Sequence, residues 1–387
     1  MHDRIRVWYR PMRARAIHEP HRVSTSLELL FDLCFVVAVS QTSSALHHAL
    51  SENHVGQGVF HFLLVFWGIW WGWLQFSWFA SAYDTDDVPY RLAVLVQIAG
   101  GLVIAAGVSR AFDGDFTVMV VGYVLMRLAG VAQWMRAAQS DPEHRATALR
   151  YAFGITVVQI AWIARLTLPE PLQLPGFFAL FVAELAVPVW AERARPTTWH
   201  PHHIAERYGL FTLIVLGETV VAATTGIQEA LREGENIGAL ISLSAAGLIL
   251  VFSMWWLYFD QPGHTRLTSL RKAVTWGYGH FLIFGSAAAV GAGMEVAVDR
   301  ATHKGHLAQL PAGMAIPIPV AVYLIFVWLL HIGPTNECRP IAIGFPFAAL
   351  LVLGASFSSA PVHTTAAIAA GLVAVVVLAT RGHPVEG

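Results

Sequence analysis

Apolar runs about twenty residues long recur along almost the whole chain, and each is closed by a short polar break. A run of that length is what one helix needs to cross roughly 30 Å of hydrocarbon with every backbone group bonded internally. The pattern predicts an all-α, polytopic transmembrane helix bundle of twelve spans, over 25–50, 59–83, 88–110, 116–138, 146–168, 174–192, 202–226, 236–260, 271–298, 310–331, 340–358 and 362–380. No break exceeds about a dozen residues, so no separate soluble domain is expected and any function lies in the membrane.

Composition agrees with that pattern: of 387 residues 56% are hydrophobic and 13% charged, too little polar surface for a soluble globule of this length. Charge then orients the spans, because short cytoplasmic loops carry an excess of Lys and Arg. With the N-terminus inside, eighteen of the 24 Lys and Arg residues fall on the cytoplasmic side, beginning with Arg4, Arg6, Arg10, Arg13, Arg15 and Arg22. The opposite side holds only Arg110, Arg165, Arg232, Arg300 and Lys304, while Arg127 lies within a span. The expectation is a multi-pass protein of the bacterial inner (plasma) membrane with both termini cytoplasmic. The helix after the basic start is too long for a signal peptide and lacks a small-residue cleavage pattern, so no cleavage is expected. The six arginines read as a topology signal, with contact to anionic headgroups as a second role. Cys34 falls in the first span and Cys338 in a cytoplasmic turn, so no structural disulfide is expected. A net charge of −1 with no basic domain argues against a nucleic-acid partner. The expected partners are membrane lipid and a small solute or cation.

The two halves share a faint similarity. Glu28 precedes FVVAVSQ at 35–41 and Glu206 precedes LIVLGET at 213–219, an offset of 178; Tyr83-Asp84 and Phe259-Asp260 close aromatic runs at an offset of 176. Such offsets predict a parallel 6+6 pseudo-repeat: a basic segment 1–23, a first six-helix repeat 24–200, a second 201–380 and a tail 381–387. Parallel repeats about an axis along the membrane normal are used by many transporters.

Three segments carry most of the specific signal: SLELLFDLCFVVAVSQ at 26–41, WWGWLQFSWFASAYDTDDVPYRL at 70–92 and HHIAERYGLFTLIVLGETVVA at 202–222. Together they resemble the bacterial low temperature requirement A family, typified by a first helix of the form ELFFDLVFV, a WxxWxxYxxRFDTDDxxxR-like segment and a seventh helix of the form HxxERFGLFxIIxLGE. Leu30 and Cys34 stand where Phe and Val are usual, and Ser81-Ala82-Tyr83 replaces a more polar stretch that includes an arginine. The resemblance implies a multi-pass bacterial membrane protein. The family is named for a growth phenotype in the cold, which supplies no mechanism, so the residues are read for themselves.

Glu28 and Asp32 are four apart and share a helix face. Thr25 to Glu28 fits a capping box, which gives Glu28 a structural role; Asp32 lies about two turns in, roughly 9 Å by helical rise. A carboxylate at that depth requires a partner and marks either a buried ion pair or a cation or proton site. Asp84, Asp86 and Asp87 cluster at the end of the second span, where an Asp87–Arg91 pair and a cap beside Pro89 are the structural reading. His202 and Glu206 have the spacing of two metal ligands, but two are too few and capping accounts for them. No metal and no cofactor are expected. Glu218 lies about 24 Å along the seventh helix from His202, flanked by Gly217, whose lack of a side chain would admit a neighbouring helix or water. Arg127 and Glu184 both fall at mid-depth with opposite charge, and a mutual ion pair is the economical assignment. His280 reads as a hydrogen-bonded core histidine or a proton relay. Trp67, Trp71 and Trp78 share a face, with packing favoured over a cavity lining.

Intramembrane acids mark ion and proton routes, so the leading expectation is a transporter or proton-coupled translocator with a pathway through Asp32, Glu218, Glu28, Glu206, Asp84, Asp260 and His202. Asp32, Asp84, Glu206 and Asp260 are further expected to converge on the cytoplasmic side, recruiting Arg91, Arg207, His202 or a cation. The alternatives are a membrane-embedded enzyme with a carboxylate and histidine site, for which no nucleophile motif, zinc signature or P-loop speaks, and a non-catalytic envelope stress-adaptation protein.

Overall fold

The computed structural model describes residues 8–16, 19, 23–233, 237–303, 307–333 and 338–381. Arg4, Arg6, Arg22 and Lys304, which entered the charge count, lie outside them, as does most of the tail at 382–387. The described residues form helices and connecting turns, with no strand.

Thirteen α-helices follow in order: α1 Ser26–Ser51, α2 Val55–Tyr83, α3 Val88–Phe112, α4 Thr117–Ser140, α5 Arg145–Arg165, α6 Glu170–Glu192, α7 Pro201–Glu233, α8 Ile237–Phe259, α9 Leu270–Ala301, α10 Gln309–Met314, α11 Pro317–Val327, α12 Arg339–Ala355 and α13 Pro361–Thr380. Eleven stretches among the described residues are helical, long and apolar enough to cross a membrane, one of them being α10, α11 and the π-helical turn Trp328–Ile332 taken together as Gln309–Ile332. The twelfth expected span is α12, which has only 17 residues and by helical rise reaches about 25 Å. Helix starts follow the polar breaks. Thr25 and Glu28 form the capping box of α1, each backbone N–H bonded by the other's side chain at 2.7 and 3.3 Å. Asp87 caps α3 by accepting from Tyr90 N–H at 3.0 Å, with Pro89 in the first turn. Ser269 caps α9.

The chain divides into two compact units, one of residues 1–41 and 65–207, the other of 42–64 and 208–387. Helices α1, α2 and α7 each contribute one part to the first unit and one to the second. Within the first unit α3 packs on α4, α4 on α5 and α5 on α6. The α3–α4 contact is backbone to backbone: a Cβ on Gly122 would stand 2.6 Å from the Gly100 carbonyl oxygen, and one on Gly100 would stand 2.7 Å from that of Gly122. Small residues at such a crossing are how helices gain van der Waals contact where lipid removes the hydrophobic drive between them. The described part of the basic N-terminal segment is pinned to this unit: Arg10 N–H donates to Asp87 at 2.8 Å, Arg15 N–H to the Ala82 carbonyl at 2.9 Å, and Met12 is fully buried. Within the second unit α8 packs on α13 and α11 on α9 and α12.

Candidate functional site

In the first unit, the starts of α1 and α7 bring four ionisable side chains together in two layers. Glu28 and Asp32 lie one turn apart on α1, His203 and Arg207 one turn apart on α7, so each pair projects from a single face. Glu28 Oε1 lies 2.9 Å from His203 Nε2, an ion pair when the imidazole is protonated. Arg207 Nη2 donates to Asp32 Oδ1 at 2.7 Å. All four side chains are buried, none more than 1% exposed.

The Asp32 layer is held from α2 as well. Trp73 Nε1 donates to Asp32 Oδ1 at 2.7 Å and Arg207 Nη2 to Ser77 Oγ at 3.1 Å, while the guanidinium carbon lies 5.4 Å from the Phe76 ring centre. Even so the pair is satisfied on one side only: Asp32 Oδ2 and Nε and Nη1 of Arg207 are buried with no hydrogen-bonding partner among the described residues. Buried polar atoms are paired in the great majority of cases, so three unmet atoms at one ion pair mark the Asp32–Arg207 layer as chemically open. Glu28 has two roles at once, with Oε2 in the capping box and Oε1 toward His203.

The histidine in this site is His203; His202, the expected participant, is exposed. Adjacent positions on a helix point about 100° apart, and the buried one is set by the rotation of α7, which the sequence pattern leaves open. A signal was available nonetheless: Glu28 to His203 and Asp32 to Arg207 are both separations of 175, so two opposite-charge pairs fall in register. The other predicted acids are placed as follows. Glu206 accepts from Ser24 N–H at 3.2 Å, and Asp84 lies 3.4 Å from Arg15 Nη1. Asp260 belongs to the second unit, where Gln261 donates to it at 3.0 Å.

Arg91 pairs with Asp86, at 2.8 and 3.0 Å, and not with Asp87 as expected. Asp87 is occupied elsewhere: it caps α3 and takes both ends of the Arg136 guanidinium. Burial pushes its carboxyl toward the protonated form, but Arg136 and the N–H groups of Arg10 and Tyr90 outweigh that and hold it below the usual carboxylate range.

Arg127 Nη2 lies 3.2 Å from Glu184 Oε2 in the first unit, both buried. Glu184 also accepts from Trp71 Nε1 and Gln159 Nε2, each at 2.9 Å. Trp71 is therefore a hydrogen-bond donor in the core, and Trp67 stacks on it with ring centres 6.1 Å apart.

In the second unit Glu218 is half-buried, and its helix meets α9 at Gly291, where an added Cβ would stand 3.6 Å from Glu218 Cβ and 3.1 Å from Ser43 Oγ. The glycine that admits the neighbour is Gly291; Gly217, expected in that role, has nothing within 4 Å of an added Cβ. His280 is a buried, bonded core histidine: Nδ1 lies 2.7 Å from the Trp276 carbonyl, and Nε2 lies 3.0 Å from Tyr258 Oη and 3.3 Å from His331 Nε2. His331 sits on the π-helical turn, and Arg266 donates to its carbonyl at 2.9 Å.

One cluster went unread in the sequence. His47 lies between two carboxylates of α9, with Nδ1 2.9 Å from Glu295 and Nε2 2.6 Å from Asp299, which also accepts from Ser51 at 3.2 Å. The i,i+4 spacing of Glu295 and Asp299 was the available signal. Because the two carboxylates engage opposite nitrogens of one ring, they cannot share a metal with it, and no group of three His, Cys, Asp or Glu among the described residues could hold a metal ion.

The family model described as bacterial low temperature requirement A protein matches residues 23–379. An uncharacterized protein of Rhizobium meliloti (strain 1021) is 28% identical over 311 residues, covering 73% of this chain and 72% of its own length. No solved structure matches.

Proposed function

Since the chain belongs to the bacterial low temperature requirement A family, whose name records a phenotype and no reaction, we propose its function from its buried charges: it is a transporter that moves a small solute or cation through the bilayer, coupled to a proton or ion. The observation that carries this reading is the Asp32–Arg207 pair, fully buried yet with Asp32 Oδ2 and two Arg207 nitrogens lacking a hydrogen-bonding partner among the described residues. A charge pair inside apolar helices is costly, and one that leaves its own bonding capacity open is poorly made for a purely structural lock. It is well made for exchange with water, a proton or an ion. The Glu28–His203 layer one turn nearer the helix ends gives a second titratable pair leading to it.

In this reading both termini are cytoplasmic in the bacterial inner membrane, and the ladder begins near the cytoplasmic face. Flux of protons, alkali cations and a panel of small solutes into proteoliposomes tests it. Protein-dependent uptake of any of them supports transport; chemical turnover of a membrane substrate without flux would establish an enzyme instead.

A further inference from the structure

The second unit contains a cavity of about 620 Å³ among α8, α9, α10, the start of α11 and the α12–α13 turn. That volume lies within the range of small-molecule sites, about 300–1,000 Å³, which are mostly apolar with a few placed polar groups. Leu243, Val296, Ile316 and Val362 give its walls their apolar character. Arg300, in the last turn of α9, is the only formally charged residue among the described lining, and its guanidinium makes no ion pair with any described residue. No carboxylate lines the cavity among the described residues. His363 stands at the same end, 2.9 Å from Ser242 Oγ, and adds a polar rim without adding an anion.

One cation over an acid-free apolar cavity is complementary to a ligand with one negative charge and a hydrocarbon body. The planar fork of a guanidinium matches the two oxygens of a carboxylate in parallel. The volume suits one chain with its acid group and not the paired chains of a phospholipid. We propose that this cavity binds an amphipathic monocarboxylate, with the acid group against Arg300 and the hydrocarbon along Leu243, Val296, Ile316 and Val362. The site is separate from the α1–α7 ladder and does not depend on the reading of that ladder as a transport site.

The test uses the full chain in phosphatidylcholine nanodiscs and a diazirine-bearing analogue of decanoate as the probe. After irradiation, labelled peptides should map to 293–301, 309–317 and 356–363. Decanoate should compete, while decanol, which lacks the charge, should compete at least about tenfold less well, the factor expected for one charge-assisted hydrogen-bonded contact, and acetate, which keeps the charge and lacks the buried hydrocarbon, should also compete at least about tenfold less well. Arg300→Gln should weaken competition by a similar factor, with Arg300→Lys intermediate. Ala297→Phe, which narrows the cavity without touching the charge, should reduce labelling in a protein that still melts cooperatively. Labelling spread evenly over lipid-facing helices, equal competition by decanol, or unchanged competition in Arg300→Gln would overturn the proposal. Competition by phosphatidylglycerol stronger than by decanoate would overturn it too, by assigning the cavity to a phospholipid.

Discussion

Two kinds of buried carboxylate occur in this protein, and they differ in how completely their lone pairs are met. Glu184 has three donors, Arg127, Trp71 and Gln159, so it is built as a closed structural group. Removing the cation by Arg127→Ala strands that carboxylate, and breaking a buried pair costs about 3–5 kcal/mol. A large loss of folded yield in membranes is the expected outcome by size-exclusion profile. Exchanging the two charges should recover it only in part, since an arginine at 184 would face the two remaining donors. Full recovery by the exchange would show that Trp71 and Gln159 contribute little.

At the surface end of α3, Asp87 is the residue whose protonation matters. Its carboxyl is held below the usual range by Arg136 and two N–H groups despite burial. A depressed folded value means that the stabilisation is complete above the unfolded value of about 4 and is lost as the pH falls through the folded one. The melting temperature should therefore drop from about pH 4 downward, and Asp87→Asn should be less stable at neutral pH with a shallower acid limb. An acid limb of the same slope in both proteins would assign the loss to other groups.

At this scale the sequence was informative where chemistry left one choice and silent where geometry decided. Two opposite charges at mid-depth, Arg127 and Glu184, each needed a partner and could be matched without knowing the packing. His203 against His202 depended on the rotation of α7, and the pairing of Arg91 with Asp86 depended on the turn that carries Asp86 at a positive φ of 48°.

Among the elements, the helices themselves were the most legible feature, because lipid admits no other backbone solution for runs of this length. Their interruptions were not. The span at 309–332 is broken after Met314 and ends in a π-helical turn, and α12 stops at Ala355, three residues short of the expected end. Such features follow from proline positions and local packing that hydropathy does not record. Helix crossings are equally invisible to hydropathy, and here two glycines make opposite predictions. Gly122→Ala should destabilise, by about 1–3 kcal/mol as for an overpacked core, because the new methyl meets the backbone of α3 at 2.6 Å. Gly217→Ala has open space and should be neutral or mildly stabilising. Thermal unfolding of the two purified variants distinguishes them; equal losses would mean that the α3–α4 backbone contact is not as close as described.

For the whole molecule, the division into units does not follow the helices: α1, α2 and α7 each serve both. The motif segments 26–41 and 70–92 lie wholly in the first unit, and 202–222 passes from it into the second after Arg207, so most of the specific signal in the sequence belongs to the first unit. The cation distribution makes a separate prediction at this scale. A reporter fused near Arg232 should behave as a periplasmic one, and activity only as a cytoplasmic reporter would show that the spans before it were miscounted.

The central claim is that the Asp32–Arg207 layer conducts, and a single change at either residue would test it poorly, because it would bury an unpaired charge and destabilise the fold. The double variant Asp32→Asn with Arg207→Gln removes both charges and leaves a hydrogen-bonding amide at each position. Ion flux into proteoliposomes bearing this variant, beside its melting curve, is the most direct measurement. The account predicts a cooperatively folded protein whose flux falls at least about tenfold, the loss of one charge-assisted contact; flux equal to that of the unaltered protein, in a variant that melts normally, would contradict it.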